Sequence, residues 1–182
     1  MPANTPDPDF RFSLRVYWED TDAGGVVFYA NYLKFFERAR TEWLRSLGHE
    51  QERLRAEHGT MFVVTDTAVR YRLPARLDDL LDVTVHLQHV GRARMSIRQQ
   101  VRRRDGRESV LLAEGTIRIG CVSCTDAAGT FRPQRIPTSI LDAVRPGAFT
   151  EQGQGCTRTS RSETYSSFRA LPRRGISCDS TR

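Results

Sequence analysis

The chain has 182 residues, 38% of them apolar and 27% charged, which is enough for one domain with a full core and too little for two ordinary ones. Its net charge of +6 invites a nucleic-acid reading, but seven Arg against three acids between Arg145 and Arg182 supply +4 of it, leaving +2 for residues 1–144. No apolar run approaches the roughly 18 residues of a membrane-spanning helix, and "MPANTPDPDF" has neither basic flank nor apolar stretch, so a cytoplasmic protein with a flexible lead over residues 1–9 is expected.

Residues 10–17, FRFSLRVY, alternate Phe10, Phe12, Leu14 and Val16 with Arg11, Ser13, Arg15 and Tyr17, the period of a half-buried strand. An acidic stretch follows, with Glu19, Asp20 and Asp22 ahead of the pair Gly24-Gly25. Apolar groups then recur at Tyr29, Tyr32, Leu33, Phe36, Trp43, Leu44 and Leu47, with Gly48 as a stop signal, predicting a helix from about Asn31 to Leu47. At 1.5 Å per residue such a helix runs roughly 27 Å, the length of a small sheet. A short helical piece is predicted over residues 51–57.

Strands are predicted at about 61–71, 81–88, 92–101 and 110–122. In the second of these Leu81, Val83, Val85 and Leu87 share one face, and Asp82, Thr84, His86 and Gln88 the other. The third sets Met95, Ile97 and Val101 against Arg94, Ser96, Arg98, Gln100 and Arg102, and the last turns Leu111, Ala113, Ile117, Ile119 and Cys121 inward. Asp105-Gly106 predicts a type I′ hairpin between them, since that turn needs positive φ. Half-apolar strands need a cover, and only the long helix can supply it. The pattern therefore predicts an α+β hot-dog fold over residues 10–144, an antiparallel sheet of about five strands wrapped around one long central helix. Residues 145–182, rich in Gly, Ser, Thr and Arg without a period, predict a disordered tail.

Four cysteines without a signal peptide predict reduced thiols. Cys121 and Cys124 are spaced C-x-x-C, but zinc needs four ligands, and Cys156 and Cys178 lie far off in the polar tail. The pair is read as a strand-end residue and a loop residue, and no metal or cofactor is expected.

The run RVYWEDTDAGGVVFYANYLKFFERARTEWL resembles the signature of the 4-hydroxybenzoyl-CoA thioesterase family. It is most similar to the Tol-Pal-associated acyl-CoA thioesterase branch, where D-T-D-A-G-G-V-V and F-x-E-R-A-R-T-E occur together. The resemblance covers roughly residues 12–144, including RYRLPARLDDLLDV and RPQRIPTSIL. It implies an acyl-CoA thioesterase in which the Asp of T-D-x-x-G, here Asp22, is nucleophile or general base. Physical chemistry agrees, because thioester hydrolysis needs a carboxylate, donors for the developing oxyanion and a dry slot for the acyl group. Gly24 and Gly25 allow a tight turn and close ligand approach, with Val26 completing the substrate-binding segment. The first N–H groups of the helix are unsatisfied and carry the positive end of its dipole. The resemblance assigns the oxyanion donor to the backbone N–H of Tyr29.

Glu19 and Asp20 are read as caps or solvated acids of the loop, and Glu37 as a helix acid partnered by Arg38 or Arg40. The Tol-Pal branch commonly carries a His where this chain has Tyr29, so no role of that His is carried over. His49, His58, His86 and His89 match no catalytic element and are read as surface or strand-face residues. The arginines at 92, 94, 98, 102, 103, 104 and 107 have three readings: a phosphate-binding stripe for nucleic acid, a CoA anchor, or a solvated strand face. No aromatics interleave with them, so no specific nucleic-acid partner is expected. The resemblance places the CoA 3′-phosphate near this segment, which makes Arg92 and Arg94 the candidates. It further implies a homodimer or homotetramer with its site at a subunit interface. The rival reading is a non-catalytic module that binds acyl carrier protein or an acyl ligand.

Overall fold

The computed structural model describes residues 9–106, 108–124 and 131–144. The predicted tail and nearly all of the predicted flexible lead lie outside them. In chain order the elements are β1 (Phe10–Arg15), α1 (Asn31–Ser46), α2 (Gln51–His58), β2 (Thr60–Tyr71), β3 (Leu80–Val90), β4 (Arg94–Asp105), β5 (Glu108–Cys124), β6 (Phe131–Pro133) and α3 (Thr138–Ala143). The sheet order is β1-β3-β4-β5-β2, with every pair antiparallel and the short β6 added to the end of β5. This is the predicted hot-dog arrangement; β6 and α3 are additions that their short sequences did not announce.

A 16-residue helix forms at α1 because its sequence contains neither Gly nor Pro and places Tyr32, Phe36, Ala39 and Trp43 on one face. Those residues, with Phe35 and Leu44, are buried against the sheet. The buried stripe differs from the predicted one. Phe35 is buried and Leu33 is 42% exposed, because Leu33 lies on the helix side turned away from the strands. Tyr29 precedes the helix altogether and is 63% exposed.

Close approach of helix to sheet depends on Gly115 in β5. A Cβ there would lie 3.0 Å from Phe36 Cε2 and 3.2 Å from the Ala68 carbonyl oxygen of β2. Gly115→Ala is therefore expected to destabilise the fold by about 1–3 kcal/mol, measured by urea denaturation, since an added methyl must push α1 or β2 outward. Gln99 of β4 is 0% exposed and ties the helix down: its Nε2 donates to the Phe36 carbonyl at 3.1 Å, and its Oε1 accepts from Arg40 Nη1 at 2.8 Å. Sequence alternation did not single out this buried amide.

Three strand details differ from expectation. Asp105 pairs with Glu108, so the hairpin closes one residue later than predicted, with Gly106 at φ +59° as its first turn residue. The β4–β5 register shifts between Val101 and Arg102, leaving Leu112 without a partner on β4; Leu112 is buried where Leu111 was expected to point inward, and Leu111 is half-buried. β5 also continues through Cys124, so Cys121 is interior to the strand rather than at its end. On the opposite face of β3, Asp82 is buried under Arg104, which donates to both carboxylate oxygens at 2.8 and 2.7 Å, and under Ser13 at 2.7 Å. Burial opposes its ionisation, but the hydrogen bonds of Arg104 and Ser13 and the nearby guanidinium charges outweigh that and hold its carboxyl below the ordinary value.

The topology gives the sheet two distinct ends. Near one lie the start of α1, the end of β1, the start of β3 and Tyr71 at the end of β2. At the other are the β3–β4 turn, the start of β2, β6 and α3.

Candidate active site

The segment between β1 and α1 is folded by its own backbone and by two acids with different tasks. Asp20 is 3% exposed; its Oδ2 accepts the Tyr17 N–H at 3.0 Å, and its carbonyl accepts both the Phe28 N–H at 2.9 Å and Asn31 Nδ2 at 3.0 Å. It is the structural acid of the loop. Asn31 thus uses a side chain at the helix start to fix the strand-side loop, a role its position in the sequence did not reveal.

Asp22 stands at the tip. Thr21 and Val27 form a bridge, the Asp22 N–H donates to the Val26 carbonyl at 2.9 Å, and the Gly25 N–H returns to the Asp22 carbonyl at 3.0 Å. Gly25 adopts φ +72°, which an L side chain seldom tolerates, and so closes this three-residue turn. Asp22 is exposed, with Oδ1 held by the Gly24 N–H at 2.8 Å, while Oδ2 meets no donor among the described residues. A side chain at Gly24 would begin 3.1 Å from that same Oδ1. Val26 is half-buried behind the turn, and Val27 anchors it by donating to the Ala75 carbonyl at 2.9 Å.

Tyr29 follows at the mouth of α1. Its backbone N–H donates to no acceptor among the described residues, and the helix behind it presents its positive end. Asp22, Gly24, Gly25, Val26 and Tyr29 therefore lie together in the segment between β1 and α1. Tyr71 also reaches this place from the end of β2 and touches Tyr29, a contact between residues 42 apart that no local pattern reports.

Arg92 and Arg94 do not join them. Both lie at the β3–β4 turn, and β3 separates that turn from the Asp22 end by 11 residues, about 35 Å of strand. The structure does sort the arginine run. Arg98 pairs with Glu114 at 3.4 Å, Arg103 with Asp79 at 3.6 Å and Arg104 with Asp82 at 2.7 Å, while Arg102 bonds Ser109 at 2.9 Å. Arg92 and Arg94 are exposed, and their guanidinium groups meet no acid among the described residues. Arg107 lies outside the described residues.

Glu37 is exposed and accepts from Thr41 Oγ1 at 2.9 Å; it forms no ion pair with Arg38 or Arg40, because Arg40 is turned inward to Gln99. Burial pulls the Arg40 guanidinium below its ordinary value, opposed by the charge of Glu37. Arg40 and Glu37 flank a cavity of about 200 Å³ between the second half of α1 and the sheet, whose apolar walls include Trp43, Leu44, Met95 and Ile119. The indole N–H of Trp43 is buried and meets no acceptor among the described residues. Cys121 is buried with its thiol pushed up to about 11 by desolvation, the state of an inert core residue rather than a redox centre. No described helix is long and apolar enough to cross a membrane.

A family model described as the thioesterase superfamily matches residues 24–110. The chain is 41% identical over 137 residues to the acyl-CoA thioesterase YbgC of Haemophilus influenzae, covering 75% of this chain and 95% of that protein. It is 39% identical over 132 residues to the acyl-CoA thioester hydrolase YbgC of Escherichia coli, covering 72% and 92% of the two. Among solved structures, a hypothetical protein from Aquifex aeolicus aligns with a TM-score of 0.66 at 26% identity, over 75% of this chain and 99% of the other.

Proposed function

The chain belongs to the thioesterase superfamily and is a thioester hydrolase, and we propose that its substrates are acyl-CoA thioesters, split at Asp22 into a free carboxylic acid and CoA. One observation carries this reading: a carboxylate with one oxygen held and the other open, in the same loop that presents an unused N–H at the head of α1. Asp22 either attacks the thioester carbonyl carbon or takes a proton from a water that does. On both routes the carbonyl oxygen gains negative charge, to which the Tyr29 N–H donates, and CoA leaves as a thiolate that solvent protonates when the C–S bond breaks. On the direct route the acyl–Asp22 anhydride so formed is then hydrolysed by water, which frees the acid and restores the carboxylate. Gly24, Gly25 and Val26 line the approach. The scheme calls for no cofactor.

Subunit pairing supports the rest of the site. β2 is an edge strand of 12 residues, exposed from Val64 to Ala68 and paired among the described residues with β5 alone. Such an edge is a template for a second copy. Two chains joined antiparallel through β2 about a two-fold axis continue the sheet, and because β2 runs from one end of it to the other, each subunit's Arg92–Arg94 turn falls beside the other's Asp22 loop. The unpaired guanidinium groups are then placed for CoA phosphates. The cavity beside α1, also lined by Phe62 and Val64 of β2, is the proposed acyl slot. Its roughly 200 Å³ compares with the 150 Å³ that admits a benzene ring in an engineered protein cavity, which favours short or single-ring acyl groups.

The test is hydrolysis of acetyl-, benzoyl-, 4-hydroxybenzoyl- and palmitoyl-CoA by the intact chain, followed through the released thiol. Turnover is expected on the short and single-ring members and little on palmitoyl-CoA. Retention of an acyl ligand or acyl carrier protein without turnover of any thioester would leave the binding-module reading in its place.

A further inference from the structure

Tyr29 has to aim its N–H without a side-chain anchor, because its own ring is 63% exposed. The surrounding peptides do the aiming. The carbonyl of the Phe28–Tyr29 peptide accepts the Asn31 N–H at 2.8 Å, and the Phe28 N–H donates to the Asp20 carbonyl at 2.9 Å. On the other side, the Tyr29 carbonyl accepts the Tyr71 hydroxyl at 3.0 Å. No other described group donates to that carbonyl. The Tyr71 ring also packs edge-on against Tyr29, with centroids 6.4 Å apart, and against Tyr32 at 5.4 Å. Tyr32 is itself fixed, since its hydroxyl accepts the Ala75 N–H at 2.9 Å.

We propose that Tyr71 is a positioning residue for thioester hydrolysis: by holding the Tyr29 carbonyl it fixes the peptide that follows Tyr29, and so limits rotation at the residue whose N–H, in the peptide before it, points at the developing oxyanion. The inference rests on the reading of Tyr29 given above. A hydrogen bond between two exposed groups does little for global stability, so its place beside the donor is better explained by orientation. Preorganised donors act through their aim, and a displacement of about 1 Å in a reacting group can lower a rate roughly 100-fold. Desolvation, with the Tyr29 phenol adding to it, raises the Tyr71 phenol above its ordinary value, so it remains a donor at neutral pH. Because Tyr71 ends the edge strand β2, the same residue links the pairing edge to the oxyanion donor.

Tyr71→Phe tests this directly, since it keeps the ring and its edge contacts and removes only the hydroxyl. The expected result is a kcat lowered about 10- to 100-fold, with KM, melting temperature and oligomeric state unchanged. A kcat within about 2-fold of wild type, or a loss that follows a falling melting temperature or a rising KM, would overturn the proposal. Asp22→Asn, measured alongside, separates the two levels of failure. If it stays active, the loop is not the reacting site and the Tyr29 reading fails; if it is inactive while Tyr71→Phe is normal, only the role of Tyr71 is lost.

Discussion

Asp22→Asn is expected to lower kcat by about 10³- to 10⁴-fold while leaving KM and stability close to wild type. The substitution is nearly silent for the fold. Asn retains an Oδ1 that can accept the Gly24 N–H now held at 2.8 Å, and the remaining bonds of the turn, to Val26 and Gly25, use the Asp22 backbone. What disappears is the negative charge on the open oxygen, and a neutral amide neither attacks a thioester nor takes a proton from water. Asp20→Asn makes the instructive contrast, because Asp20 is buried and its carboxylate caps the Tyr17 N–H. Its loss should appear in stability first, by about 1 kcal/mol for a weakened cap. Steady-state hydrolysis and urea denaturation of both variants check the division of labour, and a decrease of less than about 10-fold in Asp22→Asn would remove this carboxylate from the chemistry.

The different legibility of these residues has a physical cause. The Asp22 turn is closed by bonds spanning no more than four residues, so its Gly spacing and acid placement are written in a short run of sequence. The alternation of β1 and the helical stripe of α1 are local in the same sense. Contacts that cross the sheet are not. Tyr71 meets Tyr29, Gln99 meets Phe36 and Arg104 meets Asp82 at separations of 42, 63 and 22 residues, and only the strand order brings them together. That is why the arginine run could not be sorted from spacing: Arg98 and Arg104 look like Arg92 and Arg94 in sequence, and differ only in having an acid across the strand. The burial of Leu112 rather than Leu111 shows the same limit, since a single unpaired residue reverses the face without altering composition.

Separation of Arg92 and Arg94 from Asp22 leads to the sharpest expectation for the assembly. Arg92→Ala with Arg94→Ala should raise the KM for acyl-CoA about 10-fold or more and spare kcat, because charge-assisted phosphate contacts hold ground and transition state alike. Co-expressed with Asp22→Asn, this defective double variant should nevertheless restore activity at substrate levels well below KM. In the proposed pairing a mixed dimer would place the intact Asp22 of one chain beside the intact arginines of the other, giving one complete site and one carrying both lesions. Random pairing then returns roughly a quarter of wild-type activity. If each site were built within a single subunit, every chain would remain defective and the mixture could do no better than the average of its two parents. The strand geometry favours the first outcome, since antiparallel pairing through β2 is the simplest way to bring opposite ends of two identical sheets together. Thr67→Pro, at an exposed residue of that edge whose N–H alternates away from β5, supplies the independent control: restoration that survives loss of the dimer would place the shared site on another surface.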